Sequence, residues 1–204
     1  MAYFPVPQLL DSLLSAATKQ WEEKISPAQI MENMGKIAFH ESKNIADAIQ
    51  ISDKTESGEG TGRGLFQFEK TFKNPETGEY EQAGGMTARN RLAKQFKKDY
   101  GEDYELPSWL FQEGMKNPEI GFDVSLLSPD EQQMLFLGNI MQMPHKTGEG
   151  YIPASFADID TDEELAQYWA QYHQAGTTPG TDEYETMLDK FTTDVGFFPS
   201  QLNK

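Results

Sequence analysis

With 204 residues the chain can bury a core without covalent staples, and with no cysteine it has neither disulfides nor thiolate metal ligands to offer. Hydrophobic residues make up 37% and aromatic residues 12%, yet no apolar run approaches the roughly 20 residues that span a bilayer, so a soluble globular protein without a membrane anchor is expected. The net charge of -16 repels nucleic-acid phosphates and anionic membrane surfaces, which argues against polynucleotide partners.

From the N-terminus, Met1 to Glu22 carries no positive charge before Lys19 and no small-residue cleavage pattern, so no secretory signal is expected there. A helix is predicted over Gln8 to Lys24, and residues 1–25 could form a separate docking helix ahead of one helical domain over 26–204. Ser26-Pro27-Ala28-Gln29 sets Ser at an N-cap, Pro at the first helical position and Gln three residues after the cap, the pattern of a capping box. The helix it opens carries Ile30, Met34 and Ile37 on one face, and four residues further along that face stands Glu41.

Ser57 to Gly64 holds too much glycine for a regular element, and Asn74 to Gly85 has the composition of a turn-rich or short hairpin insertion. Helices are predicted next over Ala88 to Tyr100 and Ser108 to Gly114. Ser128-Pro129-Asp130-Glu131 and Thr161-Asp162-Glu163-Glu164 are two further capping boxes. The second opens a helix expected to run to about Gln174 and stop at Gly176, with an aromatic side of Tyr168, Trp169 and Tyr172. A last helix is predicted over Asp182 to Thr192, and the alternation typical of strands is nearly absent. The fold class is therefore mainly α, with a small loop or hairpin insertion.

A carboxyl half-buried at the end of an apolar stripe is harder to ionise, and a general acid working near neutrality needs its pKa lifted in that way, to roughly 6 to 7. Glu41 has the position for it. On periodicity alone, an acid at a helix end is more often simply solvated. What shifts the balance is the pattern around it: Glu41-Ser42, then Gly62-Arg63-Gly64-Leu65-Phe66-Gln67, then Tyr172-His173-Gln174-Ala175-Gly176.

This order resembles the lytic transglycosylase family, in which a Glu-Ser pair at a helix end is followed by a Gly-Leu-Met-Gln type motif and later by an Ala-Tyr-Asn-Ala-Gly type motif. Phe66 stands where the family has Met, and Gln67 is retained. With Ala-Gly aligned, His173 falls on the Tyr position and Gln174 on the Asn position, while a one-residue shift brings Tyr172 there instead. The stretch from Asp53 to Gly62 resembles an insertion relative to the family. The resemblance spans about Ile30 to Phe191.

It implies a lysozyme-like helical fold with a groove for peptidoglycan glycan strands, and cleavage between N-acetylmuramic acid and N-acetylglucosamine that leaves 1,6-anhydromuramyl ends. Glu41 would be the single catalytic acid and base. Ser42, Gly64, Phe66, Gln67, Tyr172, His173 and Gln174 would be the substrate-binding residues. Ser42 and Gln67 would orient the acetamido sugar or Glu41, and Gly64 would let the backbone approach the sugar. No cofactor and no metal is expected. A phage member of the family, carried in the virion with other virion or tail proteins as partners and delivered to the periplasm or cell wall, would account for an enzyme of this kind without a secretory signal.

Three rival chemistries fail on particular residues. His40-Glu41 begins a zinc-protease helix motif, but Asn44 stands where the second His is required. Asp158, Asp160 and Asp162 begin like a calcium loop, but Glu163 takes its glycine position and Trp169 its final acid. Arg63-Gly64-Leu65 lacks the Gly-Lys-Ser/Thr ending of a phosphate loop. Two alternatives stay open: a lysozyme-type hydrolase whose second carboxylate comes from Asp53, Glu56 or Glu59, and a non-catalytic virion structural protein that keeps the fold.

Overall fold

The computed structural model describes residues 6–51, 59–69, 72–73, 80–81, 84–111, 122–143, 155–173 and 178–198. Among them the chain is mainly helical, with α1 Val6–Gln20, α2 Pro27–Ser42, α3 Gly84–Tyr100, α4 Pro129–Met141, α5 Asp162–His173 and α6 Asp182–Val195. No described helix is long and apolar enough to cross a membrane. Two compact units emerge: Met1–Ala17 with Glu41–Gln142, and Thr18–His40 with Met143–Lys204.

In the first unit, α1 buries Leu9, Leu10, Leu13, Leu14 and Ala17, spaced along one helical face. The helix ends at Gln20, four residues before the predicted end, because Glu22 and Glu23 take left-handed φ of 55 and 60°. The Glu23 N–H then reaches the Thr18 carbonyl at 2.9 Å and the Glu22 N–H the Lys19 carbonyl at 3.1 Å. That pair of bonds is a Schellman stop made without glycine, so composition carried no signal of it.

The centre of this unit is α4, in which every residue from Met134 to Met141 is buried. Its capping box forms as expected: the Ser128 N–H donates to Glu131 Oε2 at 2.8 Å and the Glu131 N–H to Ser128 Oγ at 3.4 Å. Helix α3 lies against it through Ala88, Leu92 and Phe96, all fully buried. The approach is closest at Gly138, where a Cβ would stand 2.6 Å from Leu92 Cδ1 and 2.9 Å from Leu92 Cα. Only a residue without a side chain admits that spacing.

A three-stranded antiparallel sheet, ordered β1-β2-β3, is formed by Ile49–Ile51, Glu59–Arg63 and Phe68–Glu69. The glycine-rich segment expected to be a loop is therefore partly strand, and the central one. Pairing Ile49 with Arg63 on one side and Gly62 with Glu69 on the other satisfies its backbone from both edges, which needs no side-chain alternation. Around the predicted insertion, β4 Phe72–Lys73 pairs with β5 Tyr80–Glu81 as an antiparallel two-stranded ribbon. The predicted helix at Ser108 is one 3-10 turn, Ser108–Phe111, and its predicted remainder lies outside the described residues.

In the second unit, the expected stripe of α2 is fully buried at Ile30, Met34 and Ile37. Lys36 Nζ sits 2.6 Å from Asp162 Oδ1 at the start of α5 and 3.7 Å from Glu32 Oε1. His40 Nδ1 lies 2.9 Å from Asp194 Oδ2 of α6, with the imidazole against Trp169 at 4.4 Å and Phe191 at 4.8 Å. That imidazole is enclosed by packing. Tyr168 and Trp169 are each 3% exposed, so the aromatic side of α5 is core. The Thr161 capping box is complete, and Thr181 caps α6 by accepting from the Tyr184 N–H at 3.3 Å. Gly176, the expected stop of α5, lies outside the described residues.

Candidate functional site

Helix α2 ends immediately after Glu41-Ser42 because Lys43 and Asn44 adopt left-handed φ of 56 and 62°. Two such residues in succession turn the chain off the helix axis without glycine. Glu41 is half-buried and Ser42 is 8% exposed, one helical turn beyond buried Ile37. Glu41 is thus a partly exposed residue at the end of the helix that carries the buried stripe.

From Ser42 a ladder of backbone hydrogen bonds leads to the second motif. The Ile45 N–H donates to the Ser42 carbonyl at 3.2 Å, the Ala48 N–H to the Ile45 carbonyl at 3.2 Å, and the Gly64 N–H to the Ala48 carbonyl at 2.9 Å. The turn from Gly64 to Gln67 is therefore fastened to the segment that follows the acid. Gly64 has φ of +75°, a conformation glycine alone adopts without cost.

Within the turn, Gln67 also has a left-handed φ of 46°. Its N–H and its side-chain Nε2 both donate to the Gly64 carbonyl, at 3.3 and 2.8 Å, so the turn is closed by its own side chain. Phe66 is 6% exposed and stacks on Phe136 of α4 with ring centroids 4.1 Å apart, which turns its ring into the core. Arg63 is 2% exposed, donates from Nη1 to the Gly62 carbonyl at 2.9 Å and faces Asp123 at 3.6 Å from Nε to Oδ2. A guanidinium so deeply buried beside a carboxylate holds the base of the turn.

The residue that sequence reasoning missed is Gln132, in the first turn of α4 and fully buried. Its Oε1 accepts from the Leu65 N–H at 2.7 Å, and its Nε2 donates to the Ala46 carbonyl at 2.8 Å and to the Leu127 carbonyl at 2.9 Å. One amide thereby joins the turn, the segment after Glu41 and the approach to α4. Its polar character in a helix start was compatible with solvent exposure, and nothing local marked it out.

The third motif lies in the other unit. Tyr172 is half-buried with its ring 4.6 Å from that of Tyr168, His173 is the last residue of α5, and Gln174 lies outside the described residues. Asp53 and Glu56 also lie outside them, and Glu59 opens β2. Among the described residues, no three His, Asp or Glu side chains gather into a set able to hold a metal ion. No protein family, no curated protein and no solved structure matches the chain.

Proposed function

We propose that the chain is a peptidoglycan lytic transglycosylase of lysozyme-like helical fold, with Glu41 as its catalytic acid and base. The observation that carries this reading is a partly exposed Glu41 at the end of the buried α2 stripe, followed by a chain reversal that is hydrogen-bonded to the Gly64–Gln67 turn. A general acid has to be reachable by its substrate, and a partly exposed residue at a helix end meets that condition.

Glu41 donates its proton to the glycosidic oxygen as the bond from the muramyl anomeric carbon breaks, and the N-acetylglucosamine end leaves as an alcohol. The resulting carboxylate takes the proton of the muramyl 6-hydroxyl while that oxygen closes on the anomeric carbon. Atoms balance without water, and Glu41 returns to its starting state. A second carboxylate to activate water or form a covalent intermediate is therefore not required. Positioning supplies much of the remaining rate, through backbone groups of the Gly64–Gln67 turn. A virion-borne role in opening a bacterial wall, alongside other phage proteins, belongs to the same proposal.

The test is cleavage of purified sacculi by the wild type and by Glu41→Gln. We expect release of soluble fragments by the wild type and a loss of about 100- to 10,000-fold in the variant, the usual share of a positioned acid and base. A correctly folded variant that keeps substantial activity removes Glu41 from the role. A wild type that binds sacculi without cleaving them favours the non-catalytic virion protein instead.

A further inference from the structure

Gln132 has both Nε2 hydrogens and its Oε1 engaged, and the three partners Ala46, Leu65 and Leu127 are all main-chain groups. None of these bonds belongs to a helix or a strand ladder. They fasten segments that lie between the regular elements. The amide oxygen also lies closest of all atoms to the position a Cβ on Gly64 would take, with Cδ at 3.1 Å, so the side chain is pressed onto the turn as well as bonded to it. The bonds to Leu65 and Leu127 are buried, which keeps water from substituting for them, and the bond to Ala46 is part-buried.

From this we infer that Gln132 is the positioning residue of the candidate site, setting where the Gly64–Gln67 turn stands relative to the segment that follows Glu41. It touches no reacting atom. Its anchorage is rigid, since it projects from the first turn of α4, the most deeply buried helix of its unit, just after the Ser128 capping box. Any group the turn offers to a ligand is thereby referenced to the same scaffold as the chain leaving Glu41. The consequence for catalysis rests on the glycan reading above; the positioning itself does not.

The experiment compares wild type, Gln132→Met and Gln132→Glu by amide hydrogen exchange and by kinetics on soluble glycan strands. Gln132→Met fills nearly the same volume without the three bonds. Gln132→Glu keeps an acceptor for Leu65 and loses both donors, so it serves if the Met variant does not fold. We expect exchange at Gly64, and in Gln132→Met also at Leu65, to rise on the order of ten-fold or more, while amides of Leu92, Phe96 and Leu137 keep their protection. On glycan, kcat should fall on the order of ten- to a hundred-fold with KM little changed, because a displaced turn misplaces the reacting groups more than it weakens binding. A side chain that merely stabilised the fold would raise exchange in the core helices and the turn alike and leave kcat intact below the unfolding temperature. Unchanged protection at Leu65 and Gly64 in folded Gln132→Met, or at Gly64 in folded Gln132→Glu, overturns the inference whatever the enzyme does. A wild type that cleaves no glycan overturns the functional reading instead, and the exchange measurement alone then decides for or against Gln132.

Discussion

The amide of Gln132 lies against Gly64 so closely that a methyl group on the glycine would have no room between them. Because the same amide oxygen accepts the Leu65 N–H at 2.7 Å, it cannot withdraw without giving up that bond. Gly64→Ala therefore meets two costs at once, the clash and a side chain at φ of +75°. We expect a loss of about 2 to 4 kcal/mol from left-handed strain and overpacking together, seen as a lower urea midpoint at unchanged slope. An unaltered midpoint would mean that the turn accommodates a Cβ.

At the crossing of α3 and α4, Gly138→Ala should cost about 1 to 3 kcal/mol, because Leu92 meets the new methyl with its backbone Cα as well as its side chain and cannot simply rotate away. Shortening the partner tests the assignment: Leu92→Ala relieves part of the clash, so the double variant should lose less than the sum of the two single losses. Strict additivity would separate the two residues.

What could be read in advance divides along the range of the interactions. Capping boxes at Ser128 and Thr161, and the stripe from Ile30 to Glu41, are written within a few residues of one another, so composition and spacing reveal them. Gln132 is different: its partners are Ala46, Leu65 and Leu127, and a glutamine that bonds backbone atoms 86 and 67 residues away leaves no local pattern. The same holds for β2, whose place in the sheet depends on neighbours on both sides and not on its own Gly-rich composition. Glu22 and Glu23 ended α1 by a backbone conformation that their side chains do not advertise.

Acidity offers a local test at the start of α5. The backbone N–H of Asp160 is the largest influence holding the Glu164 carboxyl below the usual carboxylate range; burial opposes it, and the hydroxyl and N–H of Thr161 add to the lowering. A carboxyl depressed in the folded state contributes stability above its unfolded value and loses it as pH falls through the folded one. The thermal midpoint of Glu164→Gln should therefore lie below that of the wild type near neutrality, and the gap should close on acidification below the ordinary value of 4.5. A gap that persists unchanged into acid would show that the charge of Glu164 is not what the cap uses.

The acids from Asp53 to Glu59, the first residue of β2, separate the two enzymatic mechanisms. Replacing Asp53, Glu56 and Glu59 together by their amides should leave most of the activity on sacculi, since a transglycosylase needs no second carboxylate. A loss as large as that of Glu41→Gln would identify one of them as the partner that a hydrolase requires.

The central claim is that Glu41 moves a proton while the substrate's own 6-hydroxyl, and not water, attacks. The measurement that reaches it most directly is mass spectrometry of the fragments released from sacculi in heavy-oxygen water. We predict muramyl ends lighter by one water than a hydrolysis product and free of the heavy isotope, with no such fragments from Glu41→Gln. Reducing ends that carry the heavy oxygen would contradict the account and make the protein a lysozyme-type hydrolase.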